Sequence, residues 1–318
     1  MDNTKIIIAG AGSVGCFVGG LLAAAKREVT FLGRKRITED INRFGLHLTD
    51  FSGMDVKLDS GALVTSITPE ILSSADVILV CVKSGATIEM GELIGNYARD
   101  SAVVVSLQNG VNNADTLRGL LPEYDVRAGM VSFNVVQMGK GRFHRGTSGK
   151  IVIEAGDPEL APLLGIQNLP VQSDGDMKSV LWGKLLVNLN NALNALSGLP
   201  LVDELADRNW RLKLAEQMSE ALQAMKAENI APRPPSPVPA WILPHILRLP
   251  TPVFRLVAKQ MLSIDPAARS SMWEDLKNGR KTEIGELQGE IVRLGEKHGI
   301  PTPENHAVMG QIYEREQL

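Results

Sequence analysis

The feature that most constrains this chain lies at its start. Gly10-Ala11-Gly12-Ser13-Val14-Gly15 follows an apolar run, Lys5 to Gly10, that reads as a buried strand. The same segment opens a stretch of small residues, Ser13 to Lys26, that reads as a helix. In a G-x-G-x-x-G turn the first glycine makes the tight bend and the second lets main chain approach a pyrophosphate. The third lets helix and strand pack closely, with the phosphates at the helix N-terminus. A lone match is weak, and the strand–turn–helix context is what makes it a dinucleotide signal. The other reading of these residues is a purely structural glycine turn.

Strand and helix patterns alternate from there. Glu28 to Gly33, Asp76 to Val82 and Ala102 to Leu107 read as strands, and Ala86 to Ala98 and Asn113 to Leu121 as helices, the last stopped by Pro122. Such alternation implies βαβ units and a parallel sheet. Residues 126–155 hold β-rich runs, Ala128 to Met138 and Lys150 to Ala155, around Gly139-Lys140-Gly141-Arg142. They are expected as antiparallel strands extending the sheet. From about residue 176 the pattern turns helical: Met177 to Leu196, Ala206 to Asn229, Lys281 to His298 and Glu304 to Arg315. The 318 residues suffice for two cores. The expected fold is α/β, an N-terminal Rossmann-type sheet domain over 1–175 joined to a C-terminal all-helical domain over 176–318. Ala231 to Ala240 carries five prolines and must be a loop. Trp241 to Leu262 is apolar but broken by Pro244, Pro250 and Pro252. It reads as short core helices, with a dimer contact or a lid as the alternative.

The second strand speaks to the nucleotide. NAD sites usually place Asp or Glu at its end for the ribose 2′-hydroxyl. Here Leu32-Gly33 leads into Arg34-Lys35-Arg36, and Glu28 stands too early to reach. Three cations suit a 2′-phosphate, and arginine can bind it bidentately. NADP(H) is the expected cofactor; a solvated basic turn is the alternative.

A second candidate centre is Trp182-Gly183-Lys184-Leu185-Leu186-Val187-Asn188. Lys184 and Asn188 are four apart and share a helix face. A helical lysine is usually a solvated surface residue, but apolar neighbours surround this one nearly all round. A buried lysine acting as a general acid, its pKa lowered by burial, gives such a placement a reason.

With these segments in view, the chain resembles the ketopantoate reductase (2-dehydropantoate 2-reductase) family. The glycine motif, Lys83 after its strand, Gln108-Asn109-Gly110, the Lys184 helix, Arg269-Ser270-Ser271-Met272 with Asp275, and Gly279-Arg280-Lys281-Thr282-Glu283-Ile284 stand in the family's order at about its spacing. The resemblance implies NADPH-dependent reduction of a small 2-oxo acid, ketopantoate first among them, in pantothenate biosynthesis. It implies that Lys184 is the general acid and that Asn188 and Ser271 touch substrate. Asn109 would touch both nicotinamide ribose and substrate. Arg34 and Lys83 would join Gly10, Ala11, Gly12, Ser13, Val14 and Gly15 around the cofactor, with a main-chain contact near Val135. Glu283 would be a catalytic carboxylate near both cofactor and lysine. Taken singly, Asn109-Gly110 is also a turn signal, Ser271 and Asp275 suit a helix start, and Glu283 suits a first helical turn.

Two positions depart from the family. Eight residues after the lysine, where the family usually has Asn, stands Ala192, with Asn190, Asn191 and Asn194 nearby at other angles. Three residues before Ser271, where Asn is frequent, stands Ala268. Two further readings stay open: a 3-hydroxy-acid dehydrogenase, which also joins a Rossmann domain to a helical one, and a non-catalytic NADP-binding sensor.

Composition excludes other classes. With 44% hydrophobic and 22% charged residues the chain is globular, and a net charge of −3 gives no reason to expect nucleic acid or an anionic membrane. No run of 18 apolar residues occurs. Two cysteines, Cys16 and Cys81, form no disulfide framework. Five scattered histidines, His47, His144, His245, His298 and His306, offer no metal-ligand spacing. No signal peptide is read at Met1 to Lys5, so the cytoplasm is the expected compartment, with a homodimer admitted.

Overall fold

The computed structural model describes residues 4–258 and 265–317. The chain divides into two compact units, Met1–Met177 and Lys178–Leu318. The first unit holds strands β1 (Lys5–Ala9), β2 (Glu28–Leu32), β3 (Leu46–Asp50), β4 (Asp55–Leu58), β5 (Val64–Ser66), β6 (Val77–Val80), β7 (Val103–Ser106), β8 (Asp125–Val131), β9 (Val135–Gly139), β10 (Arg142–Arg145), β11 (Ile151–Glu154) and β12 (Val171–Asp174). Its helices are α1 (Ser13–Ala24), α2 (Lys35–Phe44), α3 (Thr87–Tyr97), α4 (Asn113–Leu120) and the single turn α5 (Ala161–Leu164).

Eight strands form the main sheet in the order β12-β11-β8-β7-β6-β1-β2-β5. From β8 to β5 all neighbours are parallel. A parallel strand covered on both faces needs a continuous apolar run, and β1 supplies it from Ile6 to Ala9. Ile6 and Ile8 face one apolar layer with Phe17, Leu21 and Phe31. Ile7 and Ala9 face the other, with Ile78, Val80, Val104 and Leu117.

Residues 126–155 depart from the expected simple extension. β8 joins β7 in parallel, with Ala128 beside Ser106. Only β11 runs antiparallel to β8, and β12 follows it in parallel. The turn at Gly139 to Arg142 carries β9 and β10 away into a second sheet of order β4-β3-β10-β9. There β10 lies parallel to β3, with Phe143 beside Leu48, both fully buried on the α1 side of the core. Pairing with β3 buries Phe143 in that layer and brings Arg145 onto Asp50 at 2.5 Å.

The second unit is helical among the described residues. Its elements are α6 (Met177–Asn188), α7 (Asn190–Ser197), α8 (Leu201–Ala206), α9 (Arg208–Ala227), α10 (Leu243–Arg248), α11 (Thr251–Val257), α12 (Ser271–Lys277), α13 (Gln288–His298) and α14 (Pro303–Glu316). Three expected helices are interrupted. The first breaks at Leu189, whose carbonyl accepts Gln288 Nε2 at 2.8 Å. The second starts afresh at Asp207, whose side chain caps α9 by accepting from Asn209 N at 2.8 Å. The third begins only at Gln288, after a single 3₁₀ turn at Ile284–Glu286. Fully buried Arg211 binds this unit together. It donates to the carbonyls of Leu205, Ala206, Leu247 and Leu249 and stacks 4.2 Å from the Phe254 ring.

The proline-rich segment is a loop pressed onto α6. Arg233 N donates to Ser179 O at 2.8 Å, and a Cβ on Gly183 would fall 2.1 Å from the Arg233 carbonyl. Trp241 stands 66% exposed, and α10 and α11 supply the short helices of the following segment. Its last residues, 259–262, lie outside the described residues. Among the described residues no helix is long and apolar enough to cross a membrane, and no group of three or more His, Cys, Asp or Glu is placed to hold a metal.

Candidate active site

The glycine turn follows β1 directly. Gly10 sits at φ +113°, where a Cβ would lie 2.7 Å from Val82 N, so only glycine fits. At Gly15 a Cβ would meet Gly10 O at 2.2 Å. Gly12 differs: a Cβ there would find nothing nearer than Cys81 O at 4.0 Å. Open space therefore lies over the N-terminus of α1, where Gly12 is the N-cap, no side chain caps the helix and no acid stands in the first turn. An uncapped helix N-terminus, at the positive end of the helix dipole, favours an anion.

The basic loop is held against that turn. Gly10 N and Ala11 N both donate to Leu32 O, and a Cβ on Gly33 would come within 2.7 Å of Ala11 Cβ. Arg34, Lys35 and Arg36 then emerge exposed at the start of α2. No carboxylate stands at the end of β2. Lys83 follows β6 and is exposed, and Ser84 Oγ beside it donates to Asn109 O at 3.2 Å. The structure thus joins the Lys83 loop to the Asn109-Gly110 turn. Val135 stands apart at the start of β9, on the edge of the second sheet, packed on the apolar layer that also takes Val14.

In the helical unit, Lys184 is half-buried on α6 between buried Trp182, Gly183, Leu185 and Leu186. Burial pushes its pKa down from 10.5 to about 8, because the charged ammonium loses hydration. Asn188, one turn on, is buried. Two distant segments meet the α6–α7 junction. The residue before Ser271 docks on α7: Ser270 N donates to Asn194 Oδ1 at 2.8 Å and Ser270 Oγ to Asn191 O at 2.9 Å. Ser271 is left exposed as the first residue of α12. Glu283 is the N-cap of the 3₁₀ turn that leads to Gln288 and so to Leu189. Asp275 pairs with Arg280 at 3.1 Å, a structural role. Ala192 and Ala268 are buried at 0% and 8% exposure and offer no side-chain donor.

The sequence reading missed the scaffold around these residues. Asn194 is fully buried and donates to Leu199 O and to Glu204 Oε2. Burial raises the Glu204 pKa to about 7, against the hydrogen bonds it takes from Asn194 and Asn190. The serine doublet hid a division of labour, with Ser270 capping and Ser271 exposed. Gly183 carried a readable signal, since glycine inside a helix marks a close approach.

The structure thus offers an uncapped helix N-terminus behind a glycine turn on a parallel sheet, and a half-buried lysine of depressed pKa on an apolar helix. Residues 6–158 match the family model of ketopantoate reductase PanE/ApbA, and residues 176–316 match that of its C-terminal part. The chain is 26% identical over 314 residues to a 2-dehydropantoate 2-reductase of Halobacterium salinarum, covering 94% of each. It superposes on a PanE/ApbA family ketopantoate reductase from Ralstonia eutropha JMP134 with a TM-score of 0.83 at 32% identity, covering 99% of both chains. A D-mandelate dehydrogenase solved with NADH and anilino(oxo)acetate gives a TM-score of 0.82 over 99% of both chains, but at 21% identity this shows the fold alone. The protein belongs to the ketopantoate reductase family of NAD(P)H-dependent oxidoreductases.

Proposed function

We propose that this protein reduces the ketone of ketopantoate to the alcohol with NADPH as cofactor and Lys184 as general acid. The observation that carries the reading is Lys184, an amine with a pKa near 8 on an apolar helix of a chain from this family. When bound, the nicotinamide supplies a hydride to the ketone carbon. Lys184 holds a proton for the ketone oxygen, where negative charge develops, and a pKa near the working pH suits that transfer. Asn188, Ser271 and Asn109 serve the remaining substrate oxygens, and Glu283 stands as the carboxylate partner of lysine and cofactor. The main chain of Gly10, Ala11, Gly12, Ser13, Val14 and Gly15 takes the pyrophosphate, with Lys83, Asn109 and the Val135 main chain along the cofactor. Three exposed cations after β2, with no acid at its end, support NADPH over NADH through Arg34. The reading places the reaction in the cytoplasm and admits a homodimer, which sedimentation would measure.

A second reading rests on Ala192 and Ala268. Two alanines where the family often has asparagines suit a 2-oxo acid with an apolar substituent in place of the hydroxyl. The similarly folded D-mandelate dehydrogenase was solved with anilino(oxo)acetate, an oxo acid derivative that carries an aryl group. One assay tests both: consumption of NADPH with a panel of 2-oxo acids. Turnover of ketopantoate with the highest kcat/KM supports the first reading, and preference for an aryl 2-oxo acid supports the second. No turnover of any 2-oxo acid overturns both.

A further inference from the structure

The two N-terminal loops assigned above to the cofactor are joined beneath the surface by one continuous chain of side-chain hydrogen bonds. Ser106 Oγ, at the end of β7, donates to Gln108 Oε1 at 2.9 Å. Gln108 Nε2 donates to Thr87 Oγ1 at 2.7 Å. Thr87, the first residue of α3, gives its hydroxyl proton to Asn113 Oδ1 at 2.7 Å. Asn113, the first residue of α4, uses Nδ2 to reach Asn109 O at 2.5 Å and Ser84 Oγ at 3.0 Å. Ser84 Oγ in turn donates to the same Asn109 carbonyl at 3.2 Å.

Every bond in this chain points the same way, and the Asn109 carbonyl is where it ends. A hydroxyl has one proton, so Thr87 that gives it to Asn113 must accept from Gln108. No member can turn without breaking its neighbour's bond, and in buried surroundings a broken bond leaves a polar group unpaired. Ser106, Gln108, Thr87 and Asn113 are all buried.

Three features mark the chain as more than core filler. Thr87 and Asn113 open two different helices, and the N-caps of those helices, Ala86 and Asn112, make no side-chain cap bond. Their polar side chains are directed to each other instead. The chain also lies at the carboxyl edge of β6 and β7, where open α/β sheets bind their ligands. Finally, it ends on a carbonyl that a turn already presents, since Gly110 follows at φ +90°.

We propose that Thr87 and Asn113 are positioning residues for the nicotinamide cofactor. They fix the spacing between the Lys83–Ser84 loop and the Asn109-Gly110 turn, so that both loops meet the cofactor without reorganising. The inference rests on the assignment of Lys83 and Asn109 as cofactor contacts. Neither positioning residue needs to touch cofactor or substrate.

The test uses the full chain and four measurements: NADPH dissociation constant by fluorescence, kcat, KM for the 2-oxo acid, and Tm. Thr87→Val keeps the shape and removes the hydroxyl; it should weaken NADPH binding roughly 5–30-fold, the effect of one or two kcal/mol. KM for the 2-oxo acid at saturating NADPH should move less. Thr87→Ser restores the hydroxyl and should restore NADPH affinity. Asn113→Ala combined with Thr87→Val should be little worse than either alone, because both break one chain. Ser84→Ala, at the more solvent-exposed end, keeps the test open if Thr87→Val fails to fold. It should cost roughly 2–10-fold in NADPH affinity, the range of a single hydrogen bond. A lowered Tm with unchanged NADPH affinity in Thr87→Val, or an unchanged affinity in Ser84→Ala, would overturn the inference. Lys83→Ala and Asn109→Ala separate the two levels. If they weaken NADPH binding and Thr87→Val does not, only the positioning role falls. If they leave binding unchanged, the contact assignment falls and takes the inference with it.

Discussion

The two units hold their candidate ligand groups with different materials. In the N-terminal unit the candidate cradle is main chain: the uncapped N-terminus of α1, and glycines whose missing Cβ atoms let strand, turn and helix approach. In the C-terminal unit the candidate group is a side chain, Lys184, and its chemistry comes from the surroundings that push its pKa to about 8. A main-chain site depends on local geometry and tolerates most changes that keep it. A side-chain site depends on one functional group and on packing contributed by distant residues. Binding and chemistry should therefore separate when each unit is altered in turn.

The largest expected effect is on chemistry alone. Lys184→Ala should lower kcat by roughly 10²–10⁴-fold, the usual contribution of a positioned general acid. NADPH affinity, measured by fluorescence titration, should stay at the wild-type value. Near-normal turnover in this variant would remove Lys184 from the mechanism, and a parallel loss of NADPH binding would erase the separation between units.

A smaller effect should appear on binding alone. Arg34→Ala removes one exposed cation of the loop held against the glycine turn. A charge-assisted bond to the 2′-phosphate contributes about 1–3 kcal/mol. The apparent dissociation constant for NADPH should rise accordingly, that for NADH should hardly change, and kcat at saturating NADPH should hold. Equal losses for both nucleotides would show that Arg34 does not read the 2′-phosphate.

The same contrast explains what the sequence made legible. The glycine turn could be read because two of its glycines, Gly10 and Gly15, answer constraints from residues close in sequence or beside the adjacent strand. Val82 N excludes any other residue at Gly10, and Gly10 O excludes any other at Gly15. Strand β1 could be read because burial on both faces demands an unbroken apolar run. The second sheet could not, because β3 and β10 are short and their pairing, His47 with Arg142, spans most of the N-terminal unit. The break at Leu189 was equally hidden. Asn188, Asn190 and Asn191 around it are weak helix formers but fix no break point, and the group that takes the Leu189 carbonyl is Gln288, 99 positions away. Lys184 itself was legible as an anomaly, a cation in an apolar helix. The serine pair shows the limit of pattern: two identical residues, of which Ser270 is buried and caps while Ser271 is exposed.

The finest test of the comparison is pH. Reduction needs the protonated amine, so kcat/KM for the 2-oxo acid should be level below about 8 and fall as much as tenfold per unit above it. Oxidation of the product alcohol needs the neutral amine and should rise over the same range. The cradle over α1 binds through main-chain N–H groups, which do not titrate there, so NADPH affinity should stay level while the rate falls. Folding carries the same signature with a fixed sign. The unfolded lysine keeps its proton up to about 10.5 and the folded one only to about 8. Between these values the unfolded chain binds more protons, so stability should rise with pH by more in the wild type than in Lys184→Met. Denaturant midpoints of the two proteins across that window measure the difference. Identical slopes would mean that the lysine is solvated in the folded chain. A declining rate with identical slopes would then trace the rate to another group, and Lys184 would lose its place as the titrating acid.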